Sequence, residues 1–294
     1  MNPEIWGELF RFDNYAELLV LVRNSIIAGA VLGLTGGLIG VFVMARDMAF
    51  AVHAISELSF AGAAAGLLFG IGVVEGSLAG SLAAALLIGL LGSRARDRNS
   101  IIAVLMPFGL GLGILCLSLY SGRAANKFGL LTGQIVAVDD PRLTALLVIC
   151  SIVVVGLLLI WRPLMFTSID AQVAEARGVP RLAVSIAFMV LLGLAVAVSV
   201  QIVGSLLVLS ILVTPAAAAL RVSASPILVP LLSALFAVVA TVGGIMLALG
   251  GSVPISPYVT TLSFLIYLGC RVFSAIQNRV QRRRRPQTLE VVTT

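Results

Sequence analysis

Apolar stretches of about 20 residues, the length a bilayer core demands, recur along nearly the whole 294-residue chain, with most charges held in the short gaps between them. A backbone surrounded by lipid must satisfy its own N–H and C=O groups, so a chain of this pattern folds as membrane-crossing helices. Nine crossings fit: about 18–44, 48–72, 74–92, 100–121, 143–161, 182–200, 203–220, 227–250 and 255–274. The sixth and seventh share one apolar run, divided near Gln201–Gly204. With 60% hydrophobic and 11% charged residues, a soluble globular protein is excluded. The expectation is all-α: a polytopic transmembrane bundle of about eight to nine spans.

Lys and Arg set the orientation. With the N-terminus outside and the C-terminus cytoplasmic, fourteen of the nineteen fall on the cytoplasmic side, including Arg46, Arg98, Arg162, Arg181, Arg221 and Arg279; five (Arg11, Arg23, Arg123, Lys127, Arg142) fall outside. The net charge of +6 therefore reports topology rather than nucleic-acid binding. The first apolar run follows Glu4, Glu8, Asp13 and Glu17 instead of a basic segment, which argues against a signal peptide. Residues 1–17 read as an external segment, 18–275 as the transmembrane domain and 276–294 as a basic cytoplasmic tail. The tail, disordered over Arg279–Arg285, would be drawn to anionic membrane lipid.

Two connections exceed a turn. Residues 122–142, outside, carry an apolar piece at Phe128–Val138 too short to span, read as a half-helix. Residues 162–181, cytoplasmic, begin at Arg162-Pro163 and hold a short amphipathic helix from Ser168 to Arg177. Ser168 or Asp170 suits its N-cap and Gly178 its end. Glycines at four-residue spacing (Gly29, Gly33, Gly37; Gly62, Gly66, Gly70; Gly76, Gly80) form ridges that let helices approach closely in lipid. Pro107 and Pro215 free carbonyls that neighbouring groups must satisfy. Cys116, Cys150 and Cys270 lie in spans without CxxC spacing and read as small apolar core residues.

Against this background His53, the single histidine, stands four residues before Glu57 inside the second span. The spacing puts both on one helix face, one turn apart. Counted from Met48, Glu57 lies roughly 13 Å in, near the middle of a core about 30 Å thick. Ionisable groups at that depth mark function by default. Imidazole plus carboxylate suits Zn²⁺ or Mn²⁺. Two ligands from one helix cannot fill a shell, so further donors must come from other helices, a second copy or water. Ser56, Ser59, Ser210 and Thr214 are the candidates, and an incomplete shell suits a carrier. His-Ala-Ile-Ser-Glu is not the HExxH of zinc proteases, and there is no GxxxxGK[ST] phosphate loop; the chain reads as no enzyme, and any ATP drive must come from another polypeptide.

Three segments carry a resemblance. VGSLLVLSILVTPAAAA, 203–219, is similar to a VGxLL…PAATA helix; Ser168-Ile-Asp-Ala…Ala176-Arg-Gly-Val179 resembles an acidic, Ala-rich cytoplasmic turn; Leu131-Thr-Gly-Gln-Ile-Val-Ala137 resembles an external LFGxLLAV segment. All three occur in the integral membrane subunit of the zinc/manganese ABC importers, the ABC-3 permeases, and the resemblance runs from about residue 25 to 275. It implies a plasma-membrane permease working as a homodimer. A cytoplasmic ATP-binding subunit would dock at Asp170, Glu175, Arg177 and Gly178, and an extracytoplasmic solute-binding protein would deliver the ion. Transported Zn²⁺ or Mn²⁺ would pass His53 and Glu57, with Ser210, Thr214 and Pro215 as a helix break along the way, and no cofactor would be held permanently. The family's second span commonly reads GDxLxHA; here His53 stands where the family has Asp and Glu57 where it has His. Two rivals remain open: a permease for a metal chelate or siderophore, and a proton-coupled secondary carrier using Glu57 as relay.

Overall fold

The computed structural model describes residues 19, 21–92, 95–121, 138–249 and 255–284. In chain order the helices are α1 (Arg23–Ala45), α2 (Ala49–Phe69), α3 (Val73–Leu91), α4 (Ala95–Leu119), α5 (Asp140–Ile169), α6 (Ala171–Ala176) and α7 (Arg181–Val203). A 3-10 turn (Ser205–Leu207), α8 (Val208–Leu212), α9 (Thr214–Val222), α10 (Leu228–Ala248) and α11 (Ile255–Arg284) follow. Among the described residues eight helices are long and apolar enough to cross a membrane: α1 to α5, α7, α10 and α11. The all-α, polytopic reading holds.

Neighbours follow a continuous arc: α4 packs on α2, α2 on α3, α3 on α7, α7 on α5, α5 on α1, α1 on α10 and α10 on α11. Helices α1, α2 and α7 are mostly buried, whereas α4, α5 and α11 keep most of their surface outward. The glycine ridges explain the closest pairs. Gly33 of α1 lies against the backbone of α10, where a Cβ would come within 2.9 Å of the Ala237 carbonyl carbon. Hydroxyls clasp the same seam: Ser233 donates to the Gly37 carbonyl at 2.6 Å and Thr241 to that of Gly29 at 2.8 Å. In α2 and α3 the contact is reciprocal, with Gly62 against the Gly76 carbonyl, Gly76 against that of Gly62, and Gly66 against that of Gly72. Gly70, expected in the same ridge, does something else. At φ +72 it is the left-handed residue that closes α2, with nothing near its missing side chain.

Three boundaries differ from the sequence reading. The seventh crossing, expected over 203–220, is interrupted: Gly204 turns the chain at φ +82, and the 3-10 turn, α8 and α9 follow as separate short pieces. Pro215 supplies no amide hydrogen to continue the ladder to the Ile211 carbonyl, and one residue earlier the Ser210 carbonyl accepts a hydrogen bond from Ser263 of α11 at 2.9 Å. Pro107, by contrast, sits within an unbroken α4. The expected break at Arg162-Pro163 is absent, because α5 continues through Pro163 to Ile169 and its last turn packs inward at Leu164 and Thr167. Helix α11 likewise continues to Arg284, through the Arg-rich stretch expected to be disordered; arginine is a good helix former. The half-helix expected at Phe128–Val138 lies outside the described residues except for Val138, as do residues 1–17 and 285–294.

The ends of the helices sort the charges. Asn24 at the start of α1 donates to Asp140 at the start of α5 at 2.8 Å, and Arg142 pairs with Asp139 at 3.5 Å. The opposite end gathers Arg46, Arg98 and Arg181 around one cavity, with Glu175 of α6 on its wall.

Candidate functional site

His53 and Glu57 lie in the first half of α2, and the helix is divided by function along its length. Its second half carries the glycines that seat it on α3. At the junction a relay of hydroxyls joins three helices: Ser59 and Ser77 Oγ atoms are 2.8 Å apart and Ser77 donates to the Ala197 carbonyl of α7 at 3.3 Å. On the remaining face Gly109 of α4 packs directly on the Glu57 backbone, its added Cβ 3.0 Å from the Glu57 carbonyl carbon. The Ser56 hydroxyl reaches the Ser205 carbonyl at 3.4 Å, while lying 2.8 Å from the His53 carbonyl. Helical rotation of 100° per residue puts His53 between these two directions, at the seam of α4 and the Gly204 turn.

Within the pair, His53 Nε2 and Glu57 Oε1 are 3.7 Å apart, with side-chain exposures of 26% and 4%. The carboxylate is enclosed by protein and the imidazole partly open. His53 Nδ1 and Glu57 Oε2 are buried without a hydrogen-bond partner among the described residues, and so are Ser205 Oγ and Gln201 Nε2 on either side of the Gly204 turn. Buried polar atoms normally find partners; in lipid each orphan costs several kcal/mol, an order-of-magnitude figure. An imidazole nitrogen, a carboxylate oxygen and a hydroxyl left without partners are donors of the kind a cation takes, whereas the Gln201 amide nitrogen can only donate, as to a water oxygen.

The sequence singles out His53 and Glu57 but not Gln201 and Ser205, whose buried polar atoms also lack partners among the described residues. The signal was a glycine flanked by polar residues inside an apolar run, read only as a boundary between spans. Ser56 and Ser59, offered as metal donors, spend their protons on Ser205, His53 or Ser77. Ser210, Thr214 and Pro215 lie further along the interrupted segment, and the bond that ties this segment to α2 is at Ser205. No group of three or more His, Cys, Asp or Glu that could hold a metal occurs among the described residues, so one copy brings two such ligands to the site.

The helix expected at Ser168–Arg177 is α6. Asp170 caps it, its Oδ1 accepting the amide hydrogens of Gln172 and Val173 at 3.0 Å each. Arg177 follows its last residue and Gly178, at φ +82, ends it. Arg46 anchors the neighbouring end of α1, donating to Ser168 at 3.2 Å and Thr167 at 3.0 Å. Its guanidinium lies 5.4 Å over the Phe188 ring.

Among the described residues, eight membrane-length helices in an arc, with a segment broken into short helices beside them, form the architecture of a multi-pass membrane protein. Sequence comparison then supplies the lineage. This chain belongs to the ABC 3 transport family, which it matches over residues 19–274. It is 29% identical over 238 residues to the manganese transport system membrane protein MntC of Halalkalibacterium halodurans, covering 80% of this chain and 81% of that one. It is 29% identical over 254 residues to the manganese import system permease protein ScaB of Streptococcus pneumoniae, covering 84% and 88%. Among solved structures, PsaBC from Streptococcus pneumoniae in complex with Fab superposes with a TM-score of 0.79 at 24% identity, over 90% of this chain and 99% of that one. Like its relatives' family, the chain is a transport subunit.

Proposed function

We propose that this chain is the permease of an ATP-driven importer of a divalent transition metal, with manganese favoured over zinc because curated relatives are named for manganese. The observation that carries the reading is the His53–Glu57 pair in the first half of α2, a buried carboxylate beside a partly open imidazole, each with a buried polar atom lacking a hydrogen-bond partner among the described residues. Two donors hold a cation weakly, and a carrier must release what it binds. A second copy meeting the first along the exposed side of His53 would double the donor set. The arginine-rich end faces the cytoplasm by the positive-inside rule. There Asp170, Glu175, Arg177 and Gly178 present α6 to a cytoplasmic ATP-binding subunit, and an external solute-binding protein delivers the ion to the other end.

Reconstitution of the permease with its ATPase in vesicles tests this. Glu57→Ala and His53→Ala are each expected to lower ATP-dependent Mn²⁺ uptake by about 10-fold or more, at least the effect of losing an outer-shell partner of a metal ligand, without changing the elution profile. Undiminished uptake in both variants removes the pair from the mechanism. Uptake by the permease alone under a proton gradient would favour a secondary carrier instead.

A further inference from the structure

A second polar centre lies apart from the His53–Glu57 pair, at the arginine-rich end. The ends of α1, α3 and α5, the starts of α4 and α7, and α6 enclose a cavity of about 440 Å³. Arg46, Arg98, Arg181, Thr167, Ser168 and Glu175 line it. Three guanidinium groups thus share the space with one carboxylate, and Asp47 stands beside Arg98 from outside the lining. No ion pair forms there among the described residues; the two that are described lie elsewhere. Burial, and then the neighbouring Arg98 and Arg181 cations, draws the Arg46 guanidinium down to about 10. It is still protonated at neutral pH, so like charges face each other across a partly enclosed space.

The donors are unequally occupied. Arg46 is committed to Thr167 and Ser168, whose own hydroxyls are turned to the Leu164 carbonyl. Arg98 gives one bond to the Arg46 carbonyl at 3.3 Å and keeps a buried Nε without a partner. Arg181 makes no hydrogen bond to a described residue. Guanidinium groups with spare planar donors match tetrahedral oxyanions bidentately, and basic pockets between transmembrane helices on the cytoplasmic side suit phospholipid headgroups.

We propose that this cavity binds a phosphate group, carried by an anionic phospholipid headgroup or by a free phosphate anion, with Arg98 and Arg181 as its principal ligands. Ala171 and Glu175 of α6 form part of the wall, so the occupant touches the same short helix that would meet the ATPase. The site stands on its own residues and needs neither metal nor ATPase to be tested.

The experiment uses delipidated full-length permease in neutral detergent. Native mass spectrometry follows binding of phosphatidylglycerol against phosphatidylcholine, and calorimetry follows inorganic phosphate. Phosphatidylglycerol should be retained over phosphatidylcholine, and Arg181→Gln and Arg98→Gln should each weaken it about 10-fold, the value of one charge-assisted contact. Arg271→Gln, on the exposed face of α11, should leave binding unchanged. Binding of inorganic phosphate with the same dependence on Arg98 and Arg181 also supports the site and identifies a free anion as its source. Should Arg98→Gln misfold, Arg181→Gln decides alone. Absence of binding for both probes, indifference to Arg181, or an equal loss in Arg271→Gln overturns the proposal.

Discussion

The two halves of α2 have opposite solutions to the same problem. From Gly62 onward the helix is sealed: glycine meets glycine across α3, carbonyls lie against missing side chains, and Ser59, Ser77 and Ala197 complete the polar bonding. Before Ser59 the helix is open to chemistry. His53, Glu57, Gln201 and Ser205 keep polar atoms buried and unanswered. The contrast teaches that the sealed half holds the helix fixed while the other half carries groups the fold alone leaves unsatisfied. Rigidity on one side makes the deficit on the other persistent, because the helix cannot rotate to relieve it.

The largest expected effect breaks the sealed half. In Gly62→Val a side chain enters the space of the Gly76 carbonyl, which is backbone and cannot swing aside. Overpacking of this kind costs about 1–3 kcal/mol or more, and we expect loss of the monodisperse peak in size-exclusion chromatography; normal elution would show the seam to be looser than its geometry. An intermediate effect sharpens the open half. Ser205→Ala should weaken Mn²⁺ binding by about 10-fold, near 1.4 kcal/mol, at an unchanged melting temperature; a lowered melting temperature with intact binding would return Ser205 to the scaffold. The smallest effect probes the junction. Ser59→Ala removes one hydroxyl from the relay and should cost roughly 0.6 kcal/mol, the average for such bonds in membranes, read as a small fall in thermal stability with uptake preserved.

Much of the scaffold was legible in the sequence because bilayer thickness imposes length directly. Helices α1, α2, α3, α7 and α10 begin and end within a few residues of the expected limits, apart from the first boundary. Asp170 and Gly178 were legible too, since a cap and a left-handed end are local matters of residue type. Continuation of α5 past Arg162-Pro163 was not, for a charge and a proline signal an ending only if nothing packs beyond them, and here Leu164 and Thr167 do. The interruption at Gly204 was visible as a place to divide the run. Whether the chain there crosses again or breaks up depends on tertiary partners such as Ser56 and Ser263, which no local pattern names. At the site, His53 and Glu57 announced themselves as ionisable groups in an apolar helix. Ser205 and Gln201 are ordinary polar residues until their lack of partners is seen.

The length of α5 carries a mechanical consequence. Thirty residues at about 1.5 Å each reach about 45 Å, well beyond a hydrocarbon layer of about 30 Å. Only Asp170 separates its end from α6, and Arg46 pins its last turn to α1 through Thr167 and Ser168. Under the proposed coupling to an ATPase, a push received by α6 would meet a continuous helix held at Arg46. Such a stroke would be delivered deep inside the bundle, where Val153 and Leu157 are wedged in the common core, instead of dissipating in a slack linker.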